Sequence, residues 1–420
     1  MASWKIVALA LVSSAFVAFT AASSRGGESP RARCSGFRAG RLDVPTRLRE
    51  SRSLLAIEAA GSSGAVVLSW LDPLSLRPRS KSLRIAEYHD AWSVAPNERQ
   101  VALGVSIPAR RRVGVVIVDL TSLRITRKIQ TGIAAEAIAW LAPRRLAVAL
   151  QDGTFAVADL GSGRIVRQAH GHGDEPRRAA QIQRRLVVLS ADSFTGGPVR
   201  LTVVDADGDI RTTTLGRIRL RARMIRGRPY ADGAGLVVDP AGHRAYVVVA
   251  GAPVATVGLQ AMRVSYRRVD ALASSSRSRE RRRSALWLGN GLFAVYGYDV
   301  VAGPAGKDGI VPAGVKLIDS RGFRSCTLDP HASSAAVAGG RLLAYGTRGS
   351  RASGLRFYTS TWRPALAALR TPVWDVDVDA AGRLVYARTR AAIHVLDARS
   401  GRRLRKIAPG PELVDVIARR

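Results

Sequence analysis

VVIVDLTSLRI, residues 115 to 125, is the stretch that decides the fold. Apolar residues run up to Asp119, Leu-Thr-Ser turns the chain, and Arg124 opens a second segment rich in β-formers. Apolar alternation buries one face of each strand, and Asp followed by Ser supplies turn chemistry, so the phrase is a hairpin. It recurs as SWLDPLSLRP from Ser69, FAVADLGSGRIV from Phe155, LTVVDADGDIR from Leu201, VKLIDSRGFR from Val315 and IHVLDARSGRRL from Ile393.

The copies are evenly spaced. Asp72, Asp119, Asp159 and Asp205 follow one another at 47, 40 and 46 residues, the length of one four-stranded blade in a radial repeat protein. Asp205 to Asp319 is 114 residues, room for two blades. The one between has lost its Asp, with a hairpin in ATVGLQAMRVSYRRV from Ala255, and a further decayed copy reads GLRFYTSTWRP from Gly354. A second phrase, an inner hairpin, precedes several copies: WSVAPNERQVALGV from Trp92, GLVVDPAGHRAYVVV from Gly235 and VWDVDVDAAGRLVYAR from Val373. Joined, the two phrases make four strands per unit.

The expected fold is therefore all-β, a single propeller over residues 51–420. Its full units run at about 90–132, 133–175, 176–222, 223–278, 279–330, 331–371 and 372–411. The unit at 51–89 shows only three strands, and ELVDVIA, Glu412 to Ala418, is the candidate for its missing inner one. Such closure would pair strand edges otherwise left exposed. The count comes to eight blades, with seven the alternative if a decayed unit is an elaborated loop.

VLDARSGR at Val395 and VDPAGHRAY at Val237 resemble the broad group of bacterial propellers with WD, YVTN-type and pyrroloquinoline-quinone-type repeats. The resemblance covers most of the chain and implies architecture, not a site. Where the quinone-type repeat closes on Trp, this sequence reads RLRKI and RIVRQ. No cofactor is called for. A propeller fold by itself leaves function open.

Residues 1–22 have signal-peptide order: Lys5, an apolar run from Ile6 to Phe19, then small residues with a cut near Ala22. The alternative is an uncleaved anchor, for which the run is short. Residues 23–50 read as a flexible arm. Only Cys34 and Cys326 occur, and an exported protein favours pairing them; two free thiols are the alternative. The expected location is secreted or extracytoplasmic, with no transmembrane domain in the mature chain.

The 65 basic residues outnumber 32 acidic ones, giving a net charge of +33, a balance that attracts polyanions. Arg-heavy, Ala-heavy and Gly-heavy composition is also what a GC-rich genome writes, so part of the charge is open to explanation as drift. The basic residues crowd two interblade insertions. One carries Arg219, Arg221, Arg223 and Arg226, the other Arg279, Arg281, Arg282 and Arg283. Loops on a rigid frame are where binding usually resides, so these eight are the candidate binding residues, expected to share one face. The only His cluster, AHGHGDEP, places His170, His172, Asp174 and Glu175 together. One glycine-rich loop supplies too few ligands for a closed metal site, so it reads as a polar turn. Trp92, Trp140, Trp287 and Trp374 are expected on inner strands, packing blade against blade.

The sequence reading is a monomeric, non-enzymatic binding module with a basic loop face. Its partner would be an anionic cell-envelope polymer or an acidic protein, without specific nucleic-acid recognition. A propeller enzyme (lyase, hydrolase or quinone-type oxidoreductase) at the channel mouth, and a structural envelope scaffold, are the alternatives.

Overall fold

In the computed structural model, residues 34–40, 42 and most of 54–416 are described. Residues 1–33, 41, 43–53 and 417–420 lie outside that description, as do short interstrand stretches, among them 172–173, 226–227, 273–277, 304–307 and 347–353. The expected signal segment therefore falls outside it.

Eight antiparallel sheets follow one another along the chain. Blade 2 shows the pattern: Tyr88–Val94 innermost, then Gln100–Ile107, Arg112–Asp119 and, at the rim, Arg124–Gln130. Blades 3, 4 and 5 end on outer strands Arg164–Ala169, Ile210–Arg219 and Arg263–Arg267, and blade 8 on Arg403–Ile407. Blade 1 supplies Leu54–Ala60, Ala65–Leu71 and Leu83–Ala86 from its own sequence, and Glu412–Val416 pairs antiparallel with Leu54–Ala60 as its fourth, innermost strand. The first and last strands thus close the ring. The fold is an eight-bladed β-propeller.

Alternation dictates the core. Each blade buries apolar residues on both faces, and eight hydrophobic clusters sit one between each pair of neighbouring blades. Trp140 is fully buried between blades 2 and 3, its Nε1 donating to Ser93 O at 3.0 Å. Trp287 stacks on Tyr246 across blades 5 and 6 at 6.0 Å between centroids. Trp374 differs from expectation: it precedes the inner strand Asp375–Val378 and is 39% exposed. Trp362, fully buried between blades 6 and 7, takes the packing role instead.

The repeated Asp is explained by its turn. Asp119 Oδ1 accepts from Ser122 N at 2.8 Å and Ser122 Oγ at 2.8 Å. Asp159 with Ser162, Asp397 with Ser400 and Asp72 with Ser75 repeat the pattern. The carboxylate satisfies backbone N–H groups that the outer hairpin leaves unpaired. These donors hold Asp119, Asp159 and Asp397 below the usual carboxylate range, and for Asp72 the Arg79 guanidinium contributes most. A carboxylate depressed on folding stabilises fully above its unfolded pKa of about 4, and that contribution is lost as pH falls through the folded value. The melting temperature should therefore fall as the solution is acidified below about pH 4. Asp119→Asn with Asp397→Asn, which keep the acceptor, should make the fall shallower; an unchanged acid slope would reject this role for the turns.

Part of the segment expected as a flexible arm is docked on the ring. Cys34 and Leu42 are buried in the cluster between blades 6 and 7, Trp362 Nε1 donates to Phe37 O at 2.8 Å, and Gly40 N donates to Leu288 O at 3.1 Å. Cys34 and Cys326 form a disulfide with Cα atoms 5.6 Å apart.

Candidate functional site

Two regions carry polar groups suited to recognition: the channel wall, and a raised platform over blades 4 to 6. In the channel, the inner strands of blades 2, 3 and 4 enclose a cavity of about 640 Å³ lined by Trp92, Ser93, Glu136, Ile138, Arg177 and Gln181, among others. Its polar groups engage one another. Ser93 Oγ donates to Gln181 Oε1 at 2.7 Å, and Arg177 lies 3.7 Å from Glu175. Arg178 reaches across the wall to Ala234 O and Ser284 Oγ, both at 3.3 Å. Further round the ring, burial pushes the Tyr296 and Tyr345 hydroxyls up, with Asp375 adding to the effect on Tyr345, so both stay protonated.

The platform grows from the two basic insertions. These are strands rather than loops. The blade 4 outer strand runs to Arg219 and is followed by a separate hairpin, Ala222–Ile225 with Arg228–Ala231. In blade 6, Ser278–Gly289 pairs with Leu292–Ala302 far beyond the blade; Leu292 to Val295 pair with Val315–Asp319, whereas Tyr298 to Ala302 pair with Asp308–Pro312. Gly297 sits where the partner changes, at φ +150°, and a Cβ there would stand 1.9 Å from Arg282 O. Backbone bonds join the two insertions: Gly233 N donates to Arg281 O at 2.8 Å, Arg283 N to Gly233 O at 3.1 Å, and Arg281 N to Asp232 Oδ1 at 2.9 Å.

The candidate arginines accordingly divide. Arg219, Arg221, Arg223 and Arg282 are exposed, and Arg226 lies outside the described residues. Arg282 is paired with Glu280 and its side chain is 52% exposed. Arg281 and Arg283 are buried, and Arg279 is half-buried. Arg283 Nη1 donates to Asp299 Oδ1 at 2.8 Å, Ser278 Oγ to Asp299 Oδ2 at 3.0 Å, Arg279 to Asp308 Oδ1 at 2.6 Å, and Tyr230 OH to Asp308 Oδ2 at 2.7 Å. Burial, then the neighbouring Arg221 charge, pushes the Arg281 guanidinium down, while burial raises the Asp232 carboxyl. The acids that build this network, Asp299 and Asp308, stand in DVVAGPAGKDG, where the sequence interleaves them with residues that read as loop.

The AHGHGDEP stretch is divided too. His170 is exposed, with Nδ1 3.4 Å from Thr154 Oγ1, and His172 lies outside the described residues. Asp174 is buried and ion-paired with Arg200, and Glu175 begins the blade 4 inner strand. Gly171 is required by close packing: a Cβ there would stand 2.1 Å from Gly153 O. Among the described residues no group of three or more His, Cys, Asp or Glu is placed to hold a metal ion.

No family model and no curated protein matches the chain. Many solved structures do. Dihydro-heme d1 dehydrogenase NirN in complex with DHE is similar over 88% of this chain and 76% of its own, at 13% identity and TM-score 0.59. The computationally designed Ika8 protein is similar over 78% and 89%, at 12% identity and TM-score 0.50. BamB from Moraxella catarrhalis is similar over 87% and 97%, at 12% identity and TM-score 0.46. At this identity the likeness is one of fold. Among the described residues no helix is long and apolar enough to cross a membrane.

Proposed function

We propose that this protein is an exported, monomeric binding module that recognises an anionic or acidic partner through its basic surface. The observation that carries the reading is the platform. A base in which Arg279 and Arg283 are ion-paired with Asp308 and Asp299, and Asp232 accepts from the Arg281 backbone, holds Arg221, Arg223 and Arg282 at the surface. Guanidinium groups fixed on strands lose little freedom on binding and fork bidentately onto carboxylate or phosphate. The disulfide is compatible with an oxidising compartment, which supports export. That a dehydrogenase shares the fold carries no activity to this chain.

The Arg221→Ser, Arg223→Ser, Arg282→Ser variant should bind an anionic polymer at low salt about threefold to tenfold more weakly than the parent, since exposed charge contacts are individually small. Retained affinity in a folded variant would remove the platform from the binding surface.

A further inference from the structure

We infer that the rim of the propeller, not only the platform, is a binding surface, and that its ligand is an extended, phosphate-bearing linear polymer. This rests on the reading of the protein as an anion-binding module.

The outer strands of six consecutive blades carry one sign of charge. In ring order, blades 8, 1, 2, 3, 4 and 5 end on RLRKI, LRIA, RITRKIQ, RIVRQA, IRTTTLGRIR and RVSYR. These strands hold fourteen Arg and Lys and no Asp or Glu. All are exposed except the half-buried Arg211, and only Arg167 and Arg211 form ion pairs with described residues, namely Asp209 and Asp205. The outer strands of blades 2 and 3 touch each other, as do those of blades 4 and 5, so within each of these pairs the charge passes from one blade to the next.

The belt thins at blades 6 and 7. Blades 6 and 7 end on SCTLD and PALAAL, with no basic residue inside the strands and only Arg324, Arg363 and Arg370 at their ends. There the 34–42 segment docks, through the disulfide to Cys326 and the Phe37 contact with Trp362.

Two simpler explanations fail on this distribution. Charged residues on edge strands do prevent edge-to-edge pairing, but either sign or a mixture would serve, and a single sign adds self-repulsion that mixed charges avoid. Compositional drift toward Arg would not exclude every acid from six consecutive outer strands.

The shape and chemistry of the belt select the ligand. It curves around the outside of six blades, so a folded acidic protein would meet only part of it, whereas a flexible chain can follow it. Most of the fourteen cations are guanidinium groups, which match phosphate geometry bidentately. The one aromatic side chain on these strands, Tyr266, already lies under the Arg217 guanidinium, 5.4 Å from it. No stacking platform is left to read nucleobases.

The test uses inorganic polyphosphate as probe, the full chain, and two variants checked by thermal melting. The rim variant replaces Arg124, Arg127, Lys128, Arg164, Arg263 and Arg267 with Gln; the platform variant is that of Arg221, Arg223 and Arg282. The rim variant should lose about a hundredfold in affinity at low salt. The slope of log affinity against log salt should become shallower by about four, at ~0.7 per lost phosphate contact on a single strand. A rim variant that binds like the parent overturns the rim proposal, and if the platform variant alone is weakened, the anion-binding reading survives without it. A parent that binds neither polyphosphate nor polyglutamate overturns both. A parent that prefers polyglutamate overturns the phosphate assignment in favour of an acidic protein partner.

Discussion

Deleting residues 412–420 is expected to lower the melting temperature by roughly 10 °C or more and to promote aggregation. Glu412–Val416 is the inner strand of blade 1, pairing Ala56 with Val416 and Ala59 with Glu412. Without it Leu54–Ala60 becomes an open edge at the one place where the ring is closed by strands distant in sequence, and unpaired strand edges template self-association. Calorimetry and sedimentation would read the effect. Hydrogen exchange should show protection lost first in Leu54–Ala60 and Ala65–Leu71. A truncated chain that melts like the parent would mean that blade 1 is stable with three strands.

The second large effect is expected from the disulfide. It closes a loop of 292 residues, for which chain-entropy reasoning gives about 6 kcal/mol of stabilisation. It also fixes Cys34, Phe37 and Gly40 against blades 6 and 7. Cys34→Ala with Cys326→Ala should melt about 5 to 10 °C below the oxidised parent. Trp362 fluorescence should change as its hydrogen bond to Phe37 loosens. Alanine avoids putting a hydroxyl at position 34, which is wholly buried. Peptide mapping without reductant should recover the cross-linked pair. Free thiols in exported material, or a variant as stable as the parent, would show that the staple contributes nothing.

The architecture was legible because its determinants are local. The Asp119–Ser122 and Asp397–Ser400 turns, and apolar alternation on both sides of them, specify an outer hairpin from a dozen residues. Even the closing strand could be found, since blade 1 lacked a partner that only ELVDV supplied. The binding surface was less legible, for a different reason. RERRRS reads as a solvated basic loop, yet Arg281 and Arg283 are buried: folding brings Asp299, from the facing strand, to the Arg283 guanidinium and Asp232, from a neighbouring insertion, to the Arg281 backbone. Nor does any single stretch advertise the rim. Each of the six strands contributes one to three cations, an ordinary number, and only the ring brings them onto one rim. Trp374 was misplaced because a Trp before DVDV looks like the start of a strand, while here the strand begins at Asp375.

The most direct measurement of the central claim is the affinity of the full chain for inorganic polyphosphate as a function of salt. Binding through the platform and rim predicts a strong interaction at low salt and a steep linear fall of log affinity with log salt, with a slope of about −4 or steeper. Absence of binding at low salt, or binding that does not respond to salt, would contradict the account.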